Sequence, residues 1–198
     1  MKRIYAAALR LFAEKGAHQV SISDLAQAAG VARGTVYNNV PAPENLFADV
    51  ATQLVAEMHG RVVTSFGEIE DPALRLSFGM RFFIRRAYEE SNWGRFVIRF
   101  AFTDASLREV LTGPAVIDLR IGLMRERYTF QEGQVMTAAS MIAGSVLGAM
   151  LLVLEGHKTW REAGSDASEL VLKALGLDPT EANTLSHREL PPLLSLNE

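Results

Sequence analysis

The chain contains 198 residues, of which 48% are hydrophobic and 22% are charged. This length and composition are typical of one or two globular domains, and they exclude a wholly disordered or collagen-like chain. Cysteine is absent, which excludes disulfides, cysteine-based zinc sites and thiol nucleophiles. The first residues enter an amphipathic pattern without an apolar signal-peptide core before it, so we expect a cytoplasmic protein.

Charge is distributed unevenly along the chain. The formal net charge of −3 argues by itself against a nucleic-acid-binding protein, because phosphate neutralisation requires Lys and Arg. Residues 1–47, however, contain five basic and three acidic side chains, a balance of +2, whereas the remainder contains 15 basic and 20 acidic side chains, a balance of −5. The N-terminal segment is therefore mildly basic and the rest of the chain is acidic.

Helical periodicity begins at the N-terminus, and no long segment has period two. The first helix is predicted from apolar residues that repeat every three to four positions: Ile4, Ala7, Ala8, Leu11 and Phe12. Gly16 is its predicted C-cap. Ser21 and Asp24 have the spacing of a capping box for a second helix, which we expect to end at Gly30. A third short helix is predicted over residues 33–39.

The same periodicity continues through the rest of the chain. Further helices are predicted over residues 44–66, 72–91, 93–102, 106–111, 115–128, 132–155 and 159–175. Pro41 and Pro43 separate the third helix from the fourth, and Pro43 suits the first turn of the latter. From Asp178 onward the prolines predict an irregular or partly disordered tail. The sequence therefore predicts an all-α fold, with a domain boundary after residue 47.

The three short N-terminal helices have the arrangement of a helix-turn-helix, with Gly30 in the turn. In this motif the second helix crosses the DNA backbone and the third enters the major groove. Residues 4–47 resemble the DNA-binding domain of the TetR family of bacterial transcriptional regulators. The resemblance rests on the string SISDLAQAAGVARGTVY at residues 21–37, on ENL at residues 44–46, and on the helix end LFAEKG at residues 11–16.

The resemblance implies a DNA-binding role for residues of the second and third helices: Ser21, Ser23, Arg33, Gly34, Thr35, Tyr37, Asn38 and Asn39. Arg33 is the best candidate for reading a base, because Arg can donate two hydrogen bonds to guanine. Tyr37 and Asn39 match positions that hold the phosphate backbone, as Ser21 or Ser23 can at a helix N-terminus. The alternatives are that Tyr37 only packs and that Ser21 only caps its helix.

The sequence departs from the family pattern at three places. Ala32 replaces the usual Ser or Thr, so the third helix lacks a side-chain cap, at a cost of about 1 kcal/mol. Val40 replaces an aromatic residue, which is a conservative change in the core. Ala42 and Pro43 replace the usual Ser-Lys pair. Because that Lys is a common phosphate contact, its loss predicts a salt dependence that is lower by about one unit of log K against log salt.

The larger unit, residues 48–198, is expected from the resemblance to bind a small effector and to dimerise. Residues 133–154 contain no charged side chain and are long enough to cross a membrane. Gln134 and several hydroxyl residues lower the hydropathy of this stretch, and acidic residues flank both of its ends. We therefore expect a buried helix and no membrane partner.

Ser140, Gly144 and Gly148 form a ridge of small side chains that lets another helix approach closely. The ridge fits either packing within one subunit or a dimer interface, and the resemblance favours the dimer. The last helix has a short heptad stripe: Trp160, Ala163, Ala167, Leu170, Ala174 and Leu177. Two helices from each subunit are then expected to form a four-helix interface, although residues 164–166 could interrupt the second one.

The middle helices are rich in large, soft side chains. The residues predicted to line an effector pocket are Met58, Phe78, Phe82, Phe96, Phe100, Arg120, Met124 and Met136. The alternative for each apolar residue is ordinary core packing. Arg99 and Arg120 are candidates for contacting a polar group of the effector, or for pairing with acids such as Asp118 and Glu109.

No pattern in the sequence favours an enzyme. The four histidines, His18, His59, His157 and His187, are isolated and lack metal-ligand spacing, and no catalytic or nucleotide-binding fingerprint is present. We therefore expect no cofactor, no metal and no catalytic residue. The predicted function is that of a dimeric TetR-like repressor released from a pseudo-palindromic operator by a small, largely apolar effector. The alternative is a helix-turn-helix protein with weakened DNA binding that acts mainly through protein partners.

Overall fold

The structure, a computed structural model, describes residues 2–16, 19–40, 42 and 45–194. These ranges contain ten α-helices and no strand, which confirms the predicted all-α fold. The helices are α1 (Lys2–Lys15), α2 (Ile22–Ala29), α3 (Arg33–Asn39), α4 (Leu46–Phe66), α5 (Pro72–Glu89), α6 (Ser91–Phe100), α7 (Ala105–Met124), α8 (Val135–Leu154), α9 (Trp160–Ala174) and α10 (Pro179–His187). Some predictions fall outside the described residues: the helix boundaries at Pro41, Pro43 and Glu44, and the isolated His18.

Helices α1 to α3 surround a small N-terminal core. Its buried apolar residues include Ile4, Ala8, Leu11, Phe12, Leu25, Ala26, Ala29, Val36, Val40, Leu46, Val50 and Phe96. The capping box predicted for α2 is present, since Ser21 Oγ accepts from the Asp24 amide and the Asp24 carboxylate accepts from the Ser21 amide. Gly30 ends α2 with φ of +63°, a left-handed conformation that favours glycine.

Helix α4 connects the two cores. Residues 46–51 bury apolar side chains in the N-terminal core, whereas residues 58–66 bury theirs in a larger C-terminal core. The latter core is built around α5, which packs against α8 and α9. Because one uninterrupted helix contributes to both cores, α4 mechanically couples the N-terminal helices to the rest of the protein.

A second connection between the units runs through α6. Phe96 is fully buried in the N-terminal core, and its ring lies 5.6 Å from that of Phe47. Arg99 Nη1 donates to the carbonyl oxygens of Ala13 and Glu14, at 3.0 and 3.1 Å. A cation at these unpaired carbonyls stabilises the C-terminus of α1. Arg99 therefore ties α1 to α6.

Two helices differ from the predicted boundaries in the middle of the chain. The segments predicted as 106–111 and 115–128 are joined in the single helix α7, with Pro114 inside it. The predicted end at residue 128 is wrong, because α7 ends at Met124. Proline removes one backbone hydrogen bond, and packing of α7 against both α4 and α8 keeps the helix continuous. Helix α9 also continues through residues 164–166, where an interruption was considered.

The predicted irregular tail is wrong for residues 179–187, which form α10. Asp178 caps this helix by accepting from the amides of Thr180 and Glu181, and Pro179 occupies the first turn. Proline after an N-cap starts a helix because its missing N–H would be unpaired there anyway. Residues beyond α10 return to α4, where the amide of Leu194 donates to Ser65 Oγ at 2.8 Å.

Candidate nucleic-acid interface and core cavity

Helix α3 is anchored by one side chain and exposes most of the others. Val36 is fully buried, whereas Arg33, Gly34, Thr35 and Asn38 are exposed. A Cβ atom placed on Gly34 would meet no atom within 4 Å. The face of α3 that carries the predicted base contacts is therefore open to solvent.

The predicted phosphate contacts on α3 are placed differently from one another. Tyr37 is 57% exposed, which argues against the alternative that it is a packing residue. Asn39 is half-buried, and its Nδ2 donates to the carbonyl oxygen of Thr35 at 2.8 Å. Ala32 provides no side-chain cap to α3, as the sequence predicts.

Ser21 acts as a cap, which is one of the two roles considered for it. Its hydroxyl lies 2.5 Å from the carboxylate of Asp24, and Lys15 Nζ lies 2.8 Å from the other carboxylate oxygen. Hydrogen bonds from Lys15 and Ser21 hold the pKa of Asp24 below its ordinary range. Ser23, in the first turn of α2, is half-buried. The N-terminus of α2 is thus stabilised by the chain itself.

The structure adds two arginines to the candidate interface. Arg3 Nη2 lies 3.4 Å from the carbonyl oxygen of Gly30, in the turn between α2 and α3. Arg3 and Arg10 line an open cleft beside this turn, together with Gln27 and Asn92. In the sequence both arginines contribute only to the positive balance of residues 1–47, because their proximity to the turn depends on how α1 packs on α2.

A small cavity lies inside the C-terminal core. Its volume is about 40 Å³, and α4, α5, α7 and α8 form its walls. We call it the core cavity; its apolar lining includes Met58, Val62, Phe66, Leu76, Met80, Phe83, Ile142 and Val146. Its polar groups come from His59, Arg75 and Asp118. A mostly apolar enclosure with a few polar groups is typical of a small-molecule site.

An ion pair lies in the wall of the core cavity. Arg75 Nε donates to Asp118 Oδ1 at 2.8 Å, and the side chain of Asp118 is only 4% exposed. Burial raises the pKa of Asp118, and the neighbouring Arg75 opposes this effect. The arginine also lies over the ring of Phe66, at 4.7 Å from the centroid. Both members of the pair can exchange hydrogen bonds with a ligand.

The outer face of α8 is apolar and unpaired in the monomer. Ser140, Gly144 and Gly148 are exposed, and a Cβ atom on either glycine would meet nothing within 4 Å. Exposure of this ridge argues against packing within one subunit.

Residues 132–154 form the one described segment long and apolar enough to span a membrane, and half of it is buried, as in the core helix of a soluble protein.

Two family models match the chain. Residues 4–50 match "Bacterial regulatory proteins, tetR family", and residues 71–188 match "Tetracyclin repressor-like, C-terminal domain". The chain belongs to the TetR family. Comparison with curated proteins gives no match. Regulators of this family bind DNA operators and small-molecule ligands, and they are typically dimeric.

Solved TetR-family structures share the fold. RolR in complex with resorcinol is 25% identical, with coverage of 98% of this chain and 95% of that one and a TM-score of 0.73. RolR without ligand is 26% identical, covers 98% and 100% of the two chains, and has a TM-score of 0.72. FadR from Bacillus subtilis in complex with stearoyl-CoA is 20% identical, covers 89% and 99%, and has a TM-score of 0.73.

Most residues predicted to line an effector pocket do not line the core cavity. Of the set, Met58 lines the core cavity. Phe78 and Phe82 are fully packed in the C-terminal core beside it. Phe96 and Phe100 belong to the aromatic cluster of the N-terminal core, with ring centroids 5.1 Å apart. The large side chains of these helices therefore lie mostly in the two cores, which was the alternative to pocket lining.

Three residues of the predicted pocket are on the surface. Met124 is 77% exposed at the end of α7, and Met136 is 60% exposed at the start of α8. The side chain of Arg120 is 60% exposed and lies 3.8 Å from Glu132. Arg75 lines the core cavity but was not among the residues predicted to line a pocket. In the sequence it is a charged residue between two leucines. That signal identified Asp118 only as a partner for other arginines.

Proposed function

We propose that this TetR-family chain is a cytoplasmic, dimeric repressor that a small effector releases from a pseudo-palindromic operator. The observation that carries the proposal is the course of α4. Residues 46–51 of this helix belong to the N-terminal core that supports α3, whereas Met58, His59 and Val62 line the core cavity. A ligand that moves the cavity wall therefore changes the position of the DNA-binding helices.

DNA contacts are proposed for the residues on α2 and α3 that the family pattern identifies: Ser21, Ser23, Arg33, Gly34, Thr35, Tyr37, Asn38 and Asn39. Arg33 is the cation of α3 and is exposed at its first turn, so we assign it to a base edge, with guanine as the preferred partner. Arg3 and Arg10 are added as phosphate contacts beside the turn, because they place positive charge next to α2. Exposure of the α3 side chains favours DNA binding over action through protein partners alone.

The dimer is proposed to form through Ser140, Gly144, Gly148 and the last long helix, α9. Exposed apolar side chains border the small-residue ridge: Met141, Leu151, Leu152 and Leu170. Leu170 and Ala174 are the exposed residues of the predicted heptad stripe, whereas Ala163 and Leu177 are buried within the subunit. Helices α8 and α9 from two subunits then form a four-helix interface around a two-fold axis. Such symmetry places two copies of α3 on two half-sites.

Substitution at the ridge tests the dimer. Gly148→Arg adds a side chain where the monomer has open space, so the subunit should fold while its partner is excluded. We expect a monomer by size-exclusion chromatography with light scattering, and operator affinity at least tenfold weaker, because two linked half-site contacts become one. Thr64→Arg places the same side chain on an exposed position of α4 and should leave the protein dimeric. A dimeric Gly148→Arg variant would contradict this interface.

The effector is proposed to be a small molecule with an apolar body and a hydroxyl or similar group that reaches Asp118 and Arg75. The resorcinol bound to RolR is a ligand of this kind, a small aromatic diol. A cavity of about 150 Å³ accommodates benzene, and the core cavity measures only about 40 Å³. A ring-sized effector therefore has to push the walls apart, which is how it would favour the conformation that releases DNA.

The decisive experiment measures DNA binding and its release together. Fluorescence anisotropy with a labelled duplex from upstream of the gene should show specific binding that a panel of small phenols reduces. Arg33→Met should abolish specificity, whereas Arg95→Met, an exposed arginine on α6, should not. Failure to bind the upstream duplex at low salt would favour the alternative of action through protein partners.

A further inference from the structure

Arg81 on α5 is buried without a counter-charge. The residue is 7% exposed, and its Nε has no hydrogen-bond partner. Its Nη1 donates to the carbonyl oxygen of Arg188 at 2.7 Å. No carboxylate of the described ranges lies within 4.0 Å of its guanidinium. Burial lowers the pKa of Arg81, which reflects the cost of removing this cation from water without an ion-pair partner.

Arg81 lines a cleft in the C-terminal unit. The cleft has a volume of about 520 Å³ and lies between α5, the start of α9 and the end of α10. Its lining includes Arg81, Arg85, Trp160, Arg161, Ser165 and His187. None of these residues lines the core cavity, so the two spaces are separate.

Trp160 holds two further guanidinium groups at the cleft. The guanidinium carbons of Arg161 and Arg85 lie 4.3 and 5.3 Å from the centroid of its ring. A cation–π contact fixes a guanidinium in place but leaves its charge and its N–H donors available. Arg85 shares its charge with Glu89, at 2.7 Å. Arg161 has no such partner among the residues that the structure describes.

The acidic residues at the cleft do not neutralise these arginines. The carboxylate of Glu162 accepts from the amide and the hydroxyl of Thr159, at 3.0 and 2.7 Å, and so caps α9. Turning it toward Arg81 would uncap that helix. Glu189 is exposed beyond the end of α10. Since Arg85 is paired with Glu89, the cleft arginines without a carboxylate partner among the described residues are Arg81 and Arg161.

Helix α9 leaves room for the side chain of Arg81. A Cβ atom on Gly164 would lie 3.2 Å from Arg81 Cγ, which is closer than ordinary van der Waals contact. Glycine at this position therefore lets α9 pass over the aliphatic stem of the arginine. The stem is covered by α9, and Arg81 remains among the residues that line the cleft.

We propose that this cleft binds a small oxyanion, a carboxylate or a phosphate, with Arg81 as its ion-pair partner and Arg161 as a second donor. A guanidinium presents a planar fork of N–H groups that fits two oxygens of either anion. The anion compensates the buried charge of Arg81, which the protein itself leaves uncompensated. The proposed site is independent of the core cavity and of DNA binding.

Calorimetry and thermal unfolding of the full chain test the site with inorganic phosphate and acetate as probes, at constant ionic strength set by chloride. We expect saturable binding and a rise in Tm with at least one probe, and the stronger probe identifies the anion class. Arg81→Met should weaken binding at least tenfold. Without anion it should be as stable as the wild type or more stable, because a buried unpaired charge is removed.

Two further variants separate site binding from general salt effects. Arg161→Met, at an exposed position, should fold normally and weaken binding by about threefold, since it removes one of the two donors. Arg95→Met removes an exposed charge from α6 and should bind as the wild type does. The proposal is overturned if neither probe binds the wild-type protein, or if Arg81→Met and Arg161→Met both bind with unchanged affinity.

Discussion

The ion pair in the core cavity is unevenly exposed, so its two members should respond differently to substitution. The side chain of Asp118 is 4% exposed, whereas that of Arg75 is 30% exposed. Removal of the arginine leaves a carboxylate that water barely reaches. Removal of the carboxylate leaves a guanidinium that can turn toward solvent. We therefore predict that Arg75→Met destabilises the protein much more than Asp118→Asn does.

The expected magnitudes follow from this difference in exposure. Leaving one member of a buried ion pair alone costs about 3–5 kcal/mol, which we expect for Arg75→Met near neutral pH. Asp118→Asn keeps an oxygen that accepts a hydrogen bond, so we expect about 0.5–1.5 kcal/mol. For a chain of this size, each kcal/mol lowers Tm by about 2–4 °C.

The pH dependence gives a second, independent signature. Burial raises the pKa of Asp118 above the ordinary value of 3.8, and Arg75 opposes that rise. Without Arg75 the folded protein holds the proton of Asp118 in a pH range where the unfolded chain has already lost it. The stability of Arg75→Met should therefore fall, relative to the wild type, as pH increases above 3.8. Asp118→Asn has no such proton and should show no such trend.

Urea unfolding at about pH 5 and about pH 8 measures both effects, provided that m-values stay equal. The double variant Arg75→Met/Asp118→Asn serves as the control, because it removes the stranded carboxylate and should recover part of the loss. Equal losses for the two single variants, without pH dependence, would refute the reasoning. That result would show that water or another side chain solvates Asp118.

Three further predictions concern the N-terminal helices and the tail. Ala32→Ser should cap α3 and stabilise the DNA-free protein by about 1 kcal/mol, seen as a higher Tm, whereas Ala32→Val, which lacks an acceptor, should not. Pro43→Lys should steepen the dependence of log K on log salt by about one unit; unchanged slopes in binding titrations would contradict this. Arg61 donates to the carbonyl oxygen of Leu194 at 3.1 Å, so Arg61→Met should speed exchange of the amide hydrogens of Leu193 and Leu194, and unchanged protection would show that the tail is held by other contacts.

Local signals in the sequence predicted the N-terminal helices well. The capping box of α2 and the left-handed Gly30 depend on residues a few positions apart, and the structure contains both. Prolines were less informative, because their effect depends on position within a helix. Pro179 starts α10 and Pro114 lies inside α7, although the sequence predicted an irregular tail at the first position and a gap between two helices at the second.

The core cavity could not be predicted because it depends on tertiary packing. Arg75 and Asp118 are 43 positions apart, and their pairing is set by how α5 packs against α7. An apolar helix face looks the same in sequence whether it fills a core or lines a cavity. In α3, by contrast, Val36 is the buried residue. The other side chains of this short helix are mostly polar, so the sequence itself indicates which face is exposed.

Three helices of the C-terminal unit contribute to the N-terminal core, α4, α6 and, through Leu107, α7; among these, α6 does not line the core cavity. Residues 46–66 form the continuous helix α4, which lines the cavity, whereas Phe96 and Arg99 of α6 hold α1 outside it. If an effector displaces α4 while α6 stays in place, our hypothesis is that the N-terminal unit pivots about its contact with α6. The distance between spin labels on the two α3 helices of the dimer would then change when effector binds. The distance between labels on α1 and α6 of one subunit would stay constant. A constant α3–α3 distance in the presence of an effector that releases DNA would exclude this pivot.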